Sequence, residues 1–320
     1  MRKALIHLVL VCVVGITIAL VDRTHAEAYE VYYLSVGNDQ YRDNNLWIPD
    51  ANLNASQIAR YLRRAGAVDG ITLVSEQGAY VTRNDVMGAL KEIASKAKVA
   101  KDPLVVYYFI GHGASRGAGW SHVSLVGDYK PSDPADVARS RAIVETREVK
   151  QLLEKQDLPY LLILDNCYYR APEGAFQLLS RTINEKAFDI GDAIGRIPTD
   201  LGTAKKSMIG IVLYAAKPGR FVQTLPHPWY ESRSIGPLGR RLLLLLKVAI
   251  ESEKGLSVGR FLEQMNDPAL DPTSVIGYHT VWSSDSGLMD ETILAGARAK
   301  AAESVRVEAT RRGSGGGDGR

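Results

Sequence analysis

Two stretches constrain this chain more than any other: Leu104–Ile110 reads LVVYYFI and Tyr160–Leu164 reads YLLIL. Neither alternates polar with apolar residues, so neither can turn one face to water. Each reads as a strand buried on both faces, and such strands belong to a parallel sheet with helices packed on either side. The neighbouring segments supply the partners. VYYLSV (31–36), ITLV (71–74) and MIGIVLYAA (208–216) read as further strands. Ala55, Ile58, Ala59 and Leu62 recur at helical spacing, as do Val86, Leu90, Ile93 and Ala97 after a Thr82/Asp85 capping box. Further helices are expected at Thr146–Lys155, Arg240–Ile250 and Val258–Met265. That order of elements implies a doubly wound α/β sheet, and a hydrophobic content of 46% supplies enough core to close it.

The two ends differ from this body. Arg2 and Lys3 precede a nearly wholly apolar run from Ala4 to Val21, and Ala26-Glu27-Ala28 has the small-x-small pattern of a cleavage site. Residues 1–28 are therefore expected to be a signal peptide, or an uncleaved membrane anchor, and either places the working part outside the cytoplasm in a periplasmic or secreted setting. Residues 295–320, ending GSGGGDGR, have too little apolar surface to fold and form a basic, Gly-rich tail. The two ends carry about +4 between them against a formal charge of +3 for the whole chain, leaving 29–294 with no basic excess of the kind nucleic-acid binding uses.

Export also alters the cysteine arithmetic. Cys12 lies in the leading segment, which leaves Cys167 alone and unable to form an internal disulfide. A lone thiol in an oxidising compartment is either buried and inert or kept for its reactivity. In open α/β sheets, sites form beyond the carboxyl ends of the strands. LVVYYFI is followed by Gly111-His112-Gly113, and YLLIL by Asp165-Asn166-Cys167. If the two strands are neighbours, Cys167 and His112 share one rim. An imidazole there activates a thiol and later protonates a leaving amine. The N–H groups of Gly113 and of Cys167 itself are the candidate donors to an oxyanion. His122, His227 and His279 have no ligand-like spacing, so no metal site is read.

The pair FIGHG (Phe109–Gly113) and LILDNC (Leu162–Cys167) resembles the motifs of the caspase-like cysteine peptidases, most closely the metacaspases and their bacterial, orthocaspase relatives. VYYLSVG, Leu53-Asn54-Ala55, IVLYAAKPG and GPLGRRLLLLL extend the resemblance over about Tyr29 to Leu294. It implies a mostly parallel six-stranded sheet with helices on both faces, Cys167 as nucleophile, His112 as general base and acid, and Gly113 in the oxyanion hole. It also implies an Arg/Lys pocket lined by Asp165 and, where the family has a second Asp, by Asn54. The sequence departs from the family there, at Ile110 where Ser is usual, and at Tyr168-Tyr169-Arg170 where His-Ser-Gly is expected. Arg170 is in addition a candidate ion-pair partner for Asp165.

The resulting expectation is an exported cysteine endopeptidase acting on peptide or protein substrates and requiring no cofactor. Asp133, Asp136 and their neighbours lack a calcium-ligand pattern, and a membrane enters only if the leading segment stays attached. Basic residues between Arg170 and Lys206 are candidate self-cleavage points. The alternative is an exported scaffold of the same fold that binds a peptide or protein partner without turnover. Gly111-x-Gly113-x-x-x-Gly117 is not a dinucleotide fingerprint, because no helical period follows it and it comes after a late strand.

Overall fold

The computed structural model describes residues 29–43, 46–76, 79–116, 121–129, 142–167, 169–170, 210–216, 222, 224–251, 256–267, 270, 278–282 and 292–294. The leading segment 1–28, the tail 295–320, most of the stretch between Arg170 and Lys206, and Asp133 and Asp136 lie outside these residues. Among the described residues no helix is long and apolar enough to cross a membrane.

Six strands form the central sheet: β1 (Glu30–Gly37), β2 (Asp69–Val74), β3 (Pro103–Ile110), β7 (Tyr160–Asp165), β9 (Gly210–Tyr214) and β13 (Tyr278–Trp282), in the spatial order β13-β9-β7-β3-β1-β2. All neighbours are parallel except β13, which closes one edge antiparallel to β9. The doubly wound α/β architecture expected from the sequence, and the mostly parallel six-stranded sheet that the family resemblance implies, are the ones observed.

The unbroken apolar strands serve two cores at once, because successive side chains leave opposite faces. Val105, Tyr107 and Phe109 of β3 join Leu162 and Leu164 of β7 beneath α2 (Arg83–Ala97) and α3 (Thr146–Glu154). Leu104, Val106, Tyr108 and Ile110 join Leu161 and Ile163 on the other face. There they pack under α1 (Ala51–Arg64), α4 (Pro237–Glu251) and α5 (Val258–Asn266). β2 and β3 lie on opposite sides of β1, so the strand order reverses there and opens a crevice at the carboxyl ends of β1 and β3.

A second, smaller sheet had no counterpart in the sequence, where the residues after Gly113 show only the lack of a helical period. It comprises β4 (Gly113–Arg116), β5 (Ser121–Leu125), β6 (Ile143–Glu145) and β8 (Tyr169–Arg170), in the order β6-β5-β4-β8. Its strands are only two to five residues long, so no continuous hydrophobic period announces them. Three further strands, β10 (Leu225–His227), β11 (Tyr230–Ile235) and β12 (Leu256–Ser257), form antiparallel pairs, β10 with β11 and β12 with β14 (Thr292–Leu294).

The capping box at α2 is formed as expected. Asp85 N–H donates to Thr82 Oγ1 at 3.3 Å and Thr82 N–H donates to Asp85 Oδ2 at 2.8 Å. Replacing an N-cap Thr costs about 1 kcal/mol. Thr82→Ala is therefore expected to lower the urea-unfolding free energy by about that amount without changing the denaturant slope; no loss of stability would show that the helix start carries none of it.

Candidate active site

Ile110 at the end of β3 is in register with Asp165 at the end of β7, and Ala114 in β4 is in register with Tyr169 in β8. The two connecting backbones start side by side and finish side by side after equal lengths. His112 is the midpoint of one and Cys167 the midpoint of the other, so the register itself sets them opposite each other. Gly113 confirms how close the chains run: any side chain there would collide with the carbonyl of Cys167 and the amide of Asn166. His112 and Cys167, together with Asp165, lie in the wall of one open cavity of about 430 Å³, whose other walls include Ile48 and Val222.

His112 is held from three sides. Its Nε2 lies 3.0 Å from the Leu46 carbonyl oxygen. A carbonyl only accepts, so Nε2 carries the proton and Nδ1 keeps the lone pair a general base needs. Its backbone N–H donates to the Tyr41 hydroxyl at 2.7 Å, and that hydroxyl in turn donates to the Leu125 carbonyl at 3.3 Å. The Tyr41 ring lies 5.2 Å from the imidazole. Burial lowers the His112 pKa to about 4, with the Leu46 carbonyl opposing.

The Cys167 sulfur accepts the Val222 N–H at 3.3 Å. Burial pushes its thiol above the ordinary range, the Val222 N–H pulls the other way, and the charge of Asp165 adds to the rise. Thiol and imidazole are accordingly both neutral at rest. Leu125 N–H donates to the His112 carbonyl at 2.9 Å, which makes Gly113 and Ser124 a non-hydrogen-bonded pair. The Gly113 N–H then points away from β5, toward the side on which Cys167 lies.

Asp165 is 3% exposed and serves the N-terminus of α4. Its carboxylate accepts the N–H of Gly239 at 2.6 Å, the N–H of Leu238 at 3.3 Å and the hydroxyl of Tyr108 at 3.1 Å. Gly236 and Gly239 leave the space it occupies, since a side chain at either would strike the carboxylate. Burial raises its pKa to about 6, with these donors opposing. Asn54 is not brought to the cavity wall: it is fully buried in α1 and donates from Nδ2 to the Ser234 carbonyl at 3.1 Å. The side chain of Arg170 lies outside the described residues. Among the described residues no group of three or more His, Cys, Asp or Glu is arranged to hold a metal.

Several residues of this site escaped the sequence reading: Tyr41 and Leu46 in the β1–α1 connection, Val222, and His122. His122 was weighed only as a metal ligand. It is fully buried, with Nδ1 2.8 Å from Thr146 Oγ1 and Nε2 2.9 Å from Asn166 Oδ1. Its alternation with Ser124 along the run SHVSL was the available signal, and the run was too short to be read as a strand.

No protein-family model matches the chain, and no curated protein does. Among solved structures, protein GSU0716 from Geobacter sulfurreducens superposes with a TM-score of 0.52 at 15% identity, covering 82% of this chain and 97% of that one. The Drosophila initiator caspase Dronc gives a TM-score of 0.47 at 10% identity, covering 86% of this chain and 85% of that one. At 15% identity the first likeness is one of fold alone, and the second is weaker still.

Burial lowers the His122 pKa to about 4, with its bonds to Asn166 and the Cys167 carbonyl opposing. Thr146 and the Tyr214 ring, both uncharged, also lie against it. The folded imidazole stays neutral down to about pH 4 while the unfolded chain takes up its proton near 6.5, so stability is lost as pH falls through that window. The unfolding free-energy difference between wild type and His122→Gln should shrink by up to ~1.4 kcal/mol per pH unit as pH falls from 6.5 to 4. A difference that stays constant with pH would show that His122 titrates normally.

Proposed function

We propose that the protein is a cysteine endopeptidase that cleaves peptide bonds through a Cys167–His112 dyad and a thiol acyl-enzyme. The observation that carries this reading is the register: equal connections from β3 to β4 and from β7 to β8 set the sulfur-bearing and imidazole-bearing residues opposite one another in the wall of an open cavity. The FIGHG and LILDNC motifs support it independently.

In this reading His112 Nδ1 takes the thiol proton and the thiolate attacks the scissile carbonyl. The Gly113 and Cys167 N–H groups receive the oxyanion. The Leu46 carbonyl steadies the imidazolium through Nε2–H, and the imidazolium then gives its proton to the leaving amine. Water, deprotonated by the same nitrogen, releases the acid. Because thiol and imidazole are both neutral at rest, the proton moves only when substrate has filled the cavity. A preference for Arg or Lys rests on Asp165 in the cavity wall. It is a moderate preference, since three donors already engage that carboxylate and Asn54 adds no second one. The chain acts after export, with the apolar segment before Tyr29 as the export signal, and the basic residues after Arg170 are candidate self-processing points.

A silent scaffold of the same fold is the second reading, favoured by the raised thiol pKa. A peptide electrophile ending in arginine separates the two, since it should label Cys167 in the peptidase and leave a scaffold unmodified. Cys167→Ala and His112→Ala are each expected to lower kcat/KM at least ~10³-fold with the fold intact. Cleavage that survives either change sinks the dyad. Alkylation of wild-type Cys167 by iodoacetamide without substrate is expected to keep rising above pH 9, as a raised thiol pKa requires; a plateau below pH 8 would mean a preformed thiolate.

A further inference from the structure

The residue directly before the proposed nucleophile belongs to a buried chain of hydrogen bonds that the dyad does not use. Thr146 Oγ1 lies 2.8 Å from His122 Nδ1, His122 Nε2 lies 2.9 Å from Asn166 Oδ1, and Asn166 Nδ2 donates to Ser124 Oγ at 3.0 Å. His122 is wholly buried, while Thr146, Asn166 and Ser124 are each 2% exposed. The directions follow from chemistry. His122 Nε2 faces the Asn166 side-chain oxygen, which only accepts, and this puts the ring proton on Nε2. The Thr146 hydroxyl then donates to Nδ1, and the Asn166 oxygen accepts from Nε2–H. The ring of Tyr214 lies edge-on 5.1 Å from the imidazole.

We infer that His122 and Asn166 are positioning residues for Cys167, a reading that rests on the proposed peptidase. A tether matters here because Cys167 stands in the non-strand connection between β7 and β8. His122 sits in β5, which is paired on one side to β4 and on the other to β6, and is held from Thr146 at the start of α3. From that frame its Nε2–H holds the Asn166 side chain, and the ring also bonds the Cys167 backbone. It thereby orients the peptide units on either side of the nucleophile, and with them the Cys167 N–H offered to the oxyanion. Asn at position 166 suits this because it accepts from the imidazole and donates to Ser124 at once; Ala does neither and Asp cannot donate.

The test uses the full-length protein. His122→Phe keeps an aromatic ring but removes both bonds. His122→Gln keeps an N–H donor toward Asn166. His122→Phe is expected to lower kcat at least ~30-fold with KM within about twofold, and to change the rate constant for Cys167 alkylation by iodoacetamide at least ~fivefold. His122→Gln should recover most of both, and the two variants should melt at similar temperatures. Wild-type kcat and alkylation rates in His122→Phe overturn the tether, as does a kcat loss that His122→Gln shares in full. Should His122→Phe fail to fold, Thr146→Val, which removes only the hydroxyl behind the ring, is measured in the same way with the same criteria at smaller amplitude. A wild type that cleaves no peptide defeats the peptidase reading alone; the alkylation comparison then decides the tether by the same criterion.

Discussion

The constraint on which the site depends is a double registration of two chain segments. β3 and β7 are neighbours in the central sheet, and the segments that leave them are paired again, as β4 and β8, in a second sheet. Parallel pairing fixes which residues of two strands lie abreast, and fixing it twice, four residues apart on each chain, leaves the residues between little choice. His112 and Cys167 occupy the middle of that interval. The energy that holds them opposite one another is thus spread through the ladder and the two cores on either side of it, including Tyr107, Phe109, Leu162 and Leu164 on one face and Tyr108, Ile110 and Ile163 on the other. No single strong contact is required between sulfur and imidazole.

Placing these groups at the edge of a dry core has an electrostatic cost that the structure meets with backbone dipoles more than with ion pairs. Cys167 has the Val222 N–H, His112 has the Leu46 carbonyl, and Asp165 has two amides at the start of α4 together with the Tyr108 hydroxyl. Each contact favours the charged form, and burial still prevails in all three. Asp165 also fixes where α4 begins: the carboxylate draws the helix N-terminus against the strand end, and Gly236 and Gly239 allow it to come that near.

Much of this was legible in the chain, for physical reasons that differ by element. The central strands could be read because a strand covered on both faces must be apolar throughout, as LVVYYFI and YLLIL are. The Thr82 capping box could be read because its chemistry is local, between residues three apart. The candidate dyad could be read because His112 and Cys167 each follow such a strand directly. The small sheet could not, because β4, β5, β6 and β8 are too short to show a period and draw their stability from one another. The roles of Tyr41, Leu46, His122 and Val222 were hidden for a related reason, since each reaches the site from an element distant in sequence.

Asp165 and Asn54 mark the boundary most clearly. Both were assigned to one pocket from their positions in motifs, yet Asp165 reaches the cavity wall as the cap of a helix and Asn54 turns to the Ser234 carbonyl. The sequence by itself determined the layered sheet and the two strand ends that carry the thiol and the imidazole, because hydrophobic period and residue type are properties of a segment alone. Only the tertiary structure decided which nitrogen of His112 keeps its lone pair, which residues surround Cys167 and in which direction burial moves each group. Those depend on the acceptors, donors and dielectric that other parts of the chain bring to the same point.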